Sequence, residues 1–176
     1  AAAVLPGRYG PDPAGLAALE WACRLAAPRG GRVTAATVGP AAAEAVLRQA
    51  LGLGAGRALR LDGEGSDPRE VAEALAEPAA AADLVMTGAW SIDGGSASVA
   101  PTLAALLARP QACGLLSLDW EGAALVGERR LPAGRRERVR LGLPAVVSLE
   151  AGTIALRREP LPALLDAQEA PLEVLA

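Results

Sequence analysis

Short apolar runs alternate with stretches in which apolar residues recur every three or four positions, and this rhythm holds from the first residues to Pro110. The runs over 2–5, 32–38, 57–61 and 84–86 read as strands. Helical spacing joins Leu16, Leu19, Cys23 and Ala26, then Val46, Leu47, Ala50 and Leu51, then Val71 and Leu75, and finally Val99, Leu103, Leu106 and Leu107. Asp12-Pro13 and Ser66-Asp67-Pro68 each supply a cap and a first-turn proline, while Pro28, Gly30-Gly31 and the glycines from Gly52 to Gly56 close helices. Strands and helices in alternation predict an α/β fold with a doubly wound, mainly parallel sheet.

After Pro110 the pattern changes. Runs over 113–120, 124–130, 137–143 and 145–149, joined by turns at Glu121-Gly122 and Pro132-Ala133-Gly134, predict an antiparallel β meander appended to that sheet. Beyond residue 158, Pro160, Pro162 and Pro171 stand among leucines, which leaves room for one short helix. The expected organisation is one α/β domain over 1–158 and a C-terminal arm over 159–176. Leucines at 161, 164, 165, 172 and 175 suggest that this arm contacts a partner.

Composition narrows the chemistry more than the fold. Hydrophobic residues make up 52% of the 176 and aromatic residues 2%, so the core is built from Ala, Leu and Val. There is no His, every basic residue is Arg, and the net charge is -3. The arginines are dispersed, with Arg129-Arg130 and Arg135-Arg136 placed as solvated hairpin ends, so nucleic-acid binding is not expected. Cys23 and Cys113 lack the spacing of a disulfide framework or zinc site and suit a reducing cytoplasm. No basic leader or membrane-length apolar run is seen, so a cytoplasmic protein without a membrane span is expected.

Without His the usual nucleophile–base triads are excluded, and neither a Walker-type loop nor a G-x-G-x-x-G fingerprint is present. The chemistry-bearing segment is 83–110, where the strand over 84–86 runs through a small-residue turn into a helix. Asp93 before Gly94-Gly95 reads first as a turn former, with orienting a ribose or a metal as the alternative. Gly94, Gly95, Ser96, Ala97 and Ser98 let an anion approach the backbone, and the free amides of the helix start at Val99 suit a phosphate. In an open α/β sheet, ligands sit beyond the carboxyl ends of the strands, where this turn falls.

Several segments, in order along the chain, resemble the β subunit of electron transfer flavoproteins. Asp12-Pro13, Glu20 and Arg24-Leu25 match an Asn-Pro-led helix. Val38-Gly39-Pro40, Leu47-Arg48, Ala50-Leu51 and Leu53-Gly54-Ala55-Gly56-Arg57 match the next strand, helix and turn. Gly88, Ser91, Ile92, Asp93, Gly94, Val99, Pro101 and Pro110 fall in register with the family's glycine-led loop and helix. Leu143-Pro144-Ala145-Val146-Val147 repeats its Leu-Pro-Ala-Val-Val, and Leu161-Pro162 falls where its partner-recognition segment starts.

The resemblance implies a Rossmann-like fold of the adenine-nucleotide alpha-hydrolase type and an electron-carrying subunit, not a catalyst on its own. It implies AMP or FAD held by Leu5, Pro6, Asp12, Val38, Gly88, Asp93, Gly94, Gly95, Ser96, Ala97, Ser98 and Val99, with the phosphate on the backbone of residues 96–99 and the adenosine against Val38 and Gly88. Its partners would be a flavin-bearing α subunit in a heterodimer, a dehydrogenase as donor and a quinone-linked acceptor. The family's Lys-Gln after the loop glycine is Ala89-Trp90 here, and its Asn-Gln pair is Ala97-Ser98, which implies fewer side-chain contacts to the nucleotide. Two other readings remain: a stand-alone, universal-stress-like nucleotide-binding homodimer without flavin, and an empty scaffold subunit propping up an α chain.

Overall fold

A computed structural model describes residues 10–92 and 94–175. The strand expected over 2–5, and the candidates Leu5, Pro6 and Asp93, lie outside the described residues. The described order is α1 (Pro13–Ala26), β1 (Thr34–Val38), α2 (Glu44–Gly52), β2 (Arg57–Leu61), α3 (Pro68–Ala79), β3 (Leu84–Gly88), α4 (Val99–Leu106), β4 (Gln111–Glu121), β5 (Ala124–Arg130), β6 (Arg136–Leu141), β7 (Ala145–Leu149), α5 (Leu161–Glu169) and β8 (Glu173–Leu175).

Among the described residues the strands form two sheets, ordered β1–β2–β8 and β3–β7–β4–β5–β6. The first is parallel throughout. In the second, β3, β7 and β4 run parallel, and β4, β5 and β6 are antiparallel. The fold is thus the expected Rossmann-like α/β architecture, divided among the described residues into a parallel sheet and a mixed sheet that carries the meander.

One strand departs from the expected order. Ala145–Leu149 does not end the meander but inserts between β3 and β4, parallel to both. All five of its residues are buried, and a strand buried on both faces belongs inside a parallel sheet rather than at a half-exposed edge. Val147 and Leu149 face α1 and pack with Ala18, Trp21, Leu25, Leu115, Leu118 and Leu125. Val146 packs with Ala100 and Ala104 of α4. The five-stranded sheet therefore carries a helix on each face.

Helix faces are set by alanine more than by leucine. The deepest positions of α1 are Ala14, Ala17, Ala18, Trp21 and Leu25, whereas Leu16, Leu19 and Ala26 are half-buried. In α4 the inward residues are Ala100, Leu103 and Ala104, and Leu106, expected inside, is 48% exposed. Small side chains let a helix approach a sheet closely, so the buried stripe follows the alanines.

A bulge in β4 has a specific partner. Its register shifts between Ala112 and Leu115 against β7, where Gly114 takes a φ of 68°. The Gly114 amide donates to the buried Ser148 Oγ at 3.0 Å, so a polar side chain replaces the ladder bond that the bulge removes.

The tail folds onto the body. Pro160 and Pro162 stand at the start of α5, where a proline suits the first helical turn. Arg48 Nη1 donates to the carbonyls of Ala167, Gln168 and Ala170 at the C-terminal end of α5. Then β8 adds as a parallel edge strand to β2, and Arg57 forks onto Glu173 at 2.8 and 2.5 Å. Leu161 and Leu165 point outward, 67% and 59% exposed.

Candidate nucleotide site

The site is built where β3, α1 and α4 converge. A β-carbon at Gly88 would stand 3.0 Å from both Ala14 Cβ and the Gly15 nitrogen, so glycine at the end of β3 lets α1 pack this close without displacement. Asp12 caps that helix, its Oδ1 accepting from the Ala14 and Gly15 amides at 2.8 and 3.2 Å. Its other oxygen, Oδ2, accepts from the Ile92 amide at 2.9 Å. One carboxylate thus joins the N-terminus of α1 to the loop after β3.

The loop is held by its own short side chains. Ser91 Oγ accepts from the Gly94 and Gly95 amides, and the Ser91 carbonyl accepts from the Gly95 amide at 3.0 Å. Ser96 and Ser98 share a hydroxyl–hydroxyl bond of 2.9 Å. Ala97 between them has a φ of 53°, a left-handed conformation that an L-residue adopts at a strain of about 1–2 kcal/mol. The chain then enters α4 at Ser98, which makes no side-chain cap, and Pro101 in the first turn has no amide. The amides of Val99 and Ala100 open the helix without a side-chain acceptor, the electrostatics that favour an anion. The loop is exposed from Gly94 to Ala97.

Val38 ends β1 in the other sheet, so the two adenosine candidates, Val38 and Gly88, stand at carboxyl ends of strands in different sheets. The turn after Val38 is tightly packed. The Gly39 amide donates to the Leu61 carbonyl at 3.0 Å, and a β-carbon at Gly65 would come 2.6 Å from the Val38 carbonyl oxygen.

A group that sequence reasoning missed lies beside this turn. Arg60, 7% exposed near the carboxyl end of β2, donates from Nη1 to the Gly39 carbonyl at 3.0 Å and to Asp62, and from Nε to Glu44 at 3.1 Å. The Asp62 carboxylate, with Glu44 behind it, pushes the guanidinium pKa above its ordinary value. The available signal was an arginine inside the apolar run Ala58–Leu61, where a buried cation demands a partner.

Two surface hollows of about 280 Å³ each lie elsewhere. One sits between the end of α1, the approach to β1, Gly54, Gly56 and Arg157, at the amino ends of the strands. The other separates α2 from α5. Among the described residues no cluster of His, Cys, Asp and Glu is arranged to hold a metal, and no helix is long and apolar enough to cross a membrane. Cys23 and Cys113 are free thiols, and burial pushes the Cys23 pKa up. On the meander Arg129 pairs with Glu137, and Arg136 with Glu128.

Fold and loop together define a layered, Rossmann-like α/β protein with an anion-favouring helix start at the carboxyl edge of its sheet. The model of the electron transfer flavoprotein domain matches residues 7–176. Protein FixA of Rhizobium meliloti (strain 1021) is 39% identical over 160 residues, covering 84% of this chain and 54% of its own length. The electron transfer flavoprotein subunit beta of Bacillus subtilis (strain 168) is 34% identical over 164 residues, 90% of this chain and 63% of that protein. The corresponding subunit of Mycobacterium bovis (strain ATCC BAA-935 / AF2122/97) is 36% identical over 125 residues, 68% of this chain and 47% of its own. The chain belongs to the electron transfer flavoprotein family, as a member similar to the β subunit. It spans about half to just under two thirds of the length of these relatives.

Proposed function

We propose that the chain carries electrons as a β-type subunit, holding AMP or FAD at the loop after β3 and pairing with a flavin-bearing α subunit. The phosphate would rest on the backbone of residues 96–99, with Gly94 and Gly95 allowing close approach. Gly88 and Val38 would line the adenosine. Asp12 would act through the loop it anchors. The observation that carries this reading is the entry into α4: a loop of short side chains, strained at Ala97, delivers a helix start that no side chain caps. Residues in this conformation persist where their surroundings fix them and are frequent at ligand-binding loops, although Ala108 and Ala133 adopt it in turns elsewhere.

The chain supplies positioning and electrostatics. Redox chemistry belongs to the flavin when bound, and nothing in the described loop offers a proton-transfer group beyond hydroxyls. The electron donor would be a dehydrogenase and the acceptor a quinone-linked protein. Free thiols at Cys23 and Cys113 suit a reducing cytoplasm.

Co-expression with an α subunit, followed by mass spectrometry of the released small molecules, tests the reading. A yellow heterodimer releasing AMP or FAD is expected. A colourless homodimer releasing ATP or AMP would instead indicate a stand-alone nucleotide-binding module. A heterodimer that releases no nucleotide beyond the α subunit's own flavin would mark a scaffold subunit.

A further inference from the structure

Arg60 is the most deeply placed charged side chain described, and it does more than pair with carboxylates. Its Nη1 bond to the Gly39 carbonyl fixes the turn that follows Val38, while Nε reaches Glu44 at the start of α2. Asp62, one residue past β2, takes the other bond to Nη1. The guanidinium thus joins the exits of two adjacent parallel strands to the entry of a helix. In an open α/β sheet these exits are where a ligand lies. The turn has little freedom elsewhere: the Gly39 amide is held by Leu61, and a β-carbon at Gly39 would come 2.9 Å from Ala43 Cβ.

Resting on the nucleotide reading above, we infer that Arg60 is a positioning residue for the base side of the site. It holds the Val38-Gly39 backbone in the shape that meets the adenosine and touches no ligand atom itself. The phosphate side, on the loop after β3, stands on a different sheet and is anchored separately by Asp12. Losing Arg60 therefore weakens recognition of the base and spares recognition of the phosphate.

The test is competition against bound AMP by two fragments, adenosine and ribose 5-phosphate, in wild type and Arg60→Gln. The variant should weaken AMP and adenosine by about tenfold and leave ribose 5-phosphate within about twofold. Because Arg60 is buried, Glu44→Gln serves as a milder partner: Glu44 is partly exposed, so its removal leaves the arginine satisfied by Gly39 and Asp62. It should shift AMP and adenosine in the same direction by about threefold. Unchanged adenosine in both variants, or equal loss of both fragments, would overturn the inference while leaving nucleotide binding standing. A wild-type chain that takes up no adenine nucleotide would overturn the underlying reading and this one with it.

Discussion

Asp12 Oδ2 receives the Ile92 amide at 2.9 Å while Oδ1 caps α1, so one side chain sets both the start of a helix and the course of a loop eighty positions on. The two tasks separate by substitution. Asp12→Ala removes both and should destabilise the chain by about 1 kcal/mol, lowering Tm by about 2–4 °C. Asp12→Asn keeps a capping oxygen but turns an amide donor toward the Ile92 N–H. It should hold Tm near wild type and weaken AMP by about threefold, measured by calorimetry. Equal AMP affinity in both variants and wild type would show that the loop does not need this anchor.

Gly88 offers a second, steric probe. A methyl group there meets Ala14 and the backbone of Gly15 rather than a flexible chain end. Gly88→Ala should force α1 away from β3 and destabilise by about 1–3 kcal/mol, as overpacking does. Thermal unfolding checks it. Gly95, in the loop that follows, has a φ of 59° and only Ser91 O at 3.9 Å nearby, so Gly95→Ala should act through backbone strain, without disturbing the helix contact.

How far the sequence discloses this structure depends on the kind of information each element needs. The strands 57–61, 124–130 and 145–149 and the proline-led starts of α1 and α3 are local features, and each lies where the pattern puts it. The neighbours of a strand are not local. Ala145–Leu149 follows three meander strands in sequence, yet the run AVVSL, apolar but for Ser148, marks it as buried on both sides, a cue that outweighs chain order. The faces of α1 and α4 were obscured because alanine counts little in a hydrophobic stripe but packs closest to the sheet. The prolines of the tail leave room for one short helix, and Pro160 and Pro162 initiate it as α5, whereas the edge strand β8 carries no such local signal. The loop over 88–99 was legible from its small residues. The roles of Asp12 in anchoring it and of Arg60 in bracing the Val38 turn were not, because both arise from contacts distant in sequence.

The tail is tied down at its helix end by Arg48, which meets three carbonyls where α5 carries partial negative charge. Arg48→Ala should free the tail locally by about 1–2 kcal/mol, the worth of a charge-assisted contact at a half-exposed site. Hydrogen exchange reports it directly. The Asp62 amide, bonded to the Leu175 carbonyl, should exchange about tenfold faster, while the Gly39 amide, bonded to Leu61 within the same sheet, should not change. If both amides accelerate together, the tail and the sheet open as one unit.

Glu20 and Arg157 give the chain an acid-side limit. Arg157 forks onto Glu20 through Nε at 2.8 Å and Nη2 at 2.9 Å, and its own amide adds a third bond at 3.2 Å. The side-chain hydrogen bonds from Arg157 hold the Glu20 carboxyl below its ordinary 4.5, even though partial burial opposes this. A carboxylate whose pKa is lower folded than unfolded binds fewer protons in the native state. Its contribution is therefore fully present above the unfolded value, near 4.5, and is lost as pH falls through the folded value below it. Glu20→Gln should lower stability at pH 7, where the ion pair is complete, and flatten the fall in Tm between about pH 5 and pH 3. Thermal melts of both proteins across that range decide the point. Parallel curves, offset by a constant amount down to pH 3, would mean that Glu20 is not the group whose protonation loosens the contact between α1 and the segment before α5.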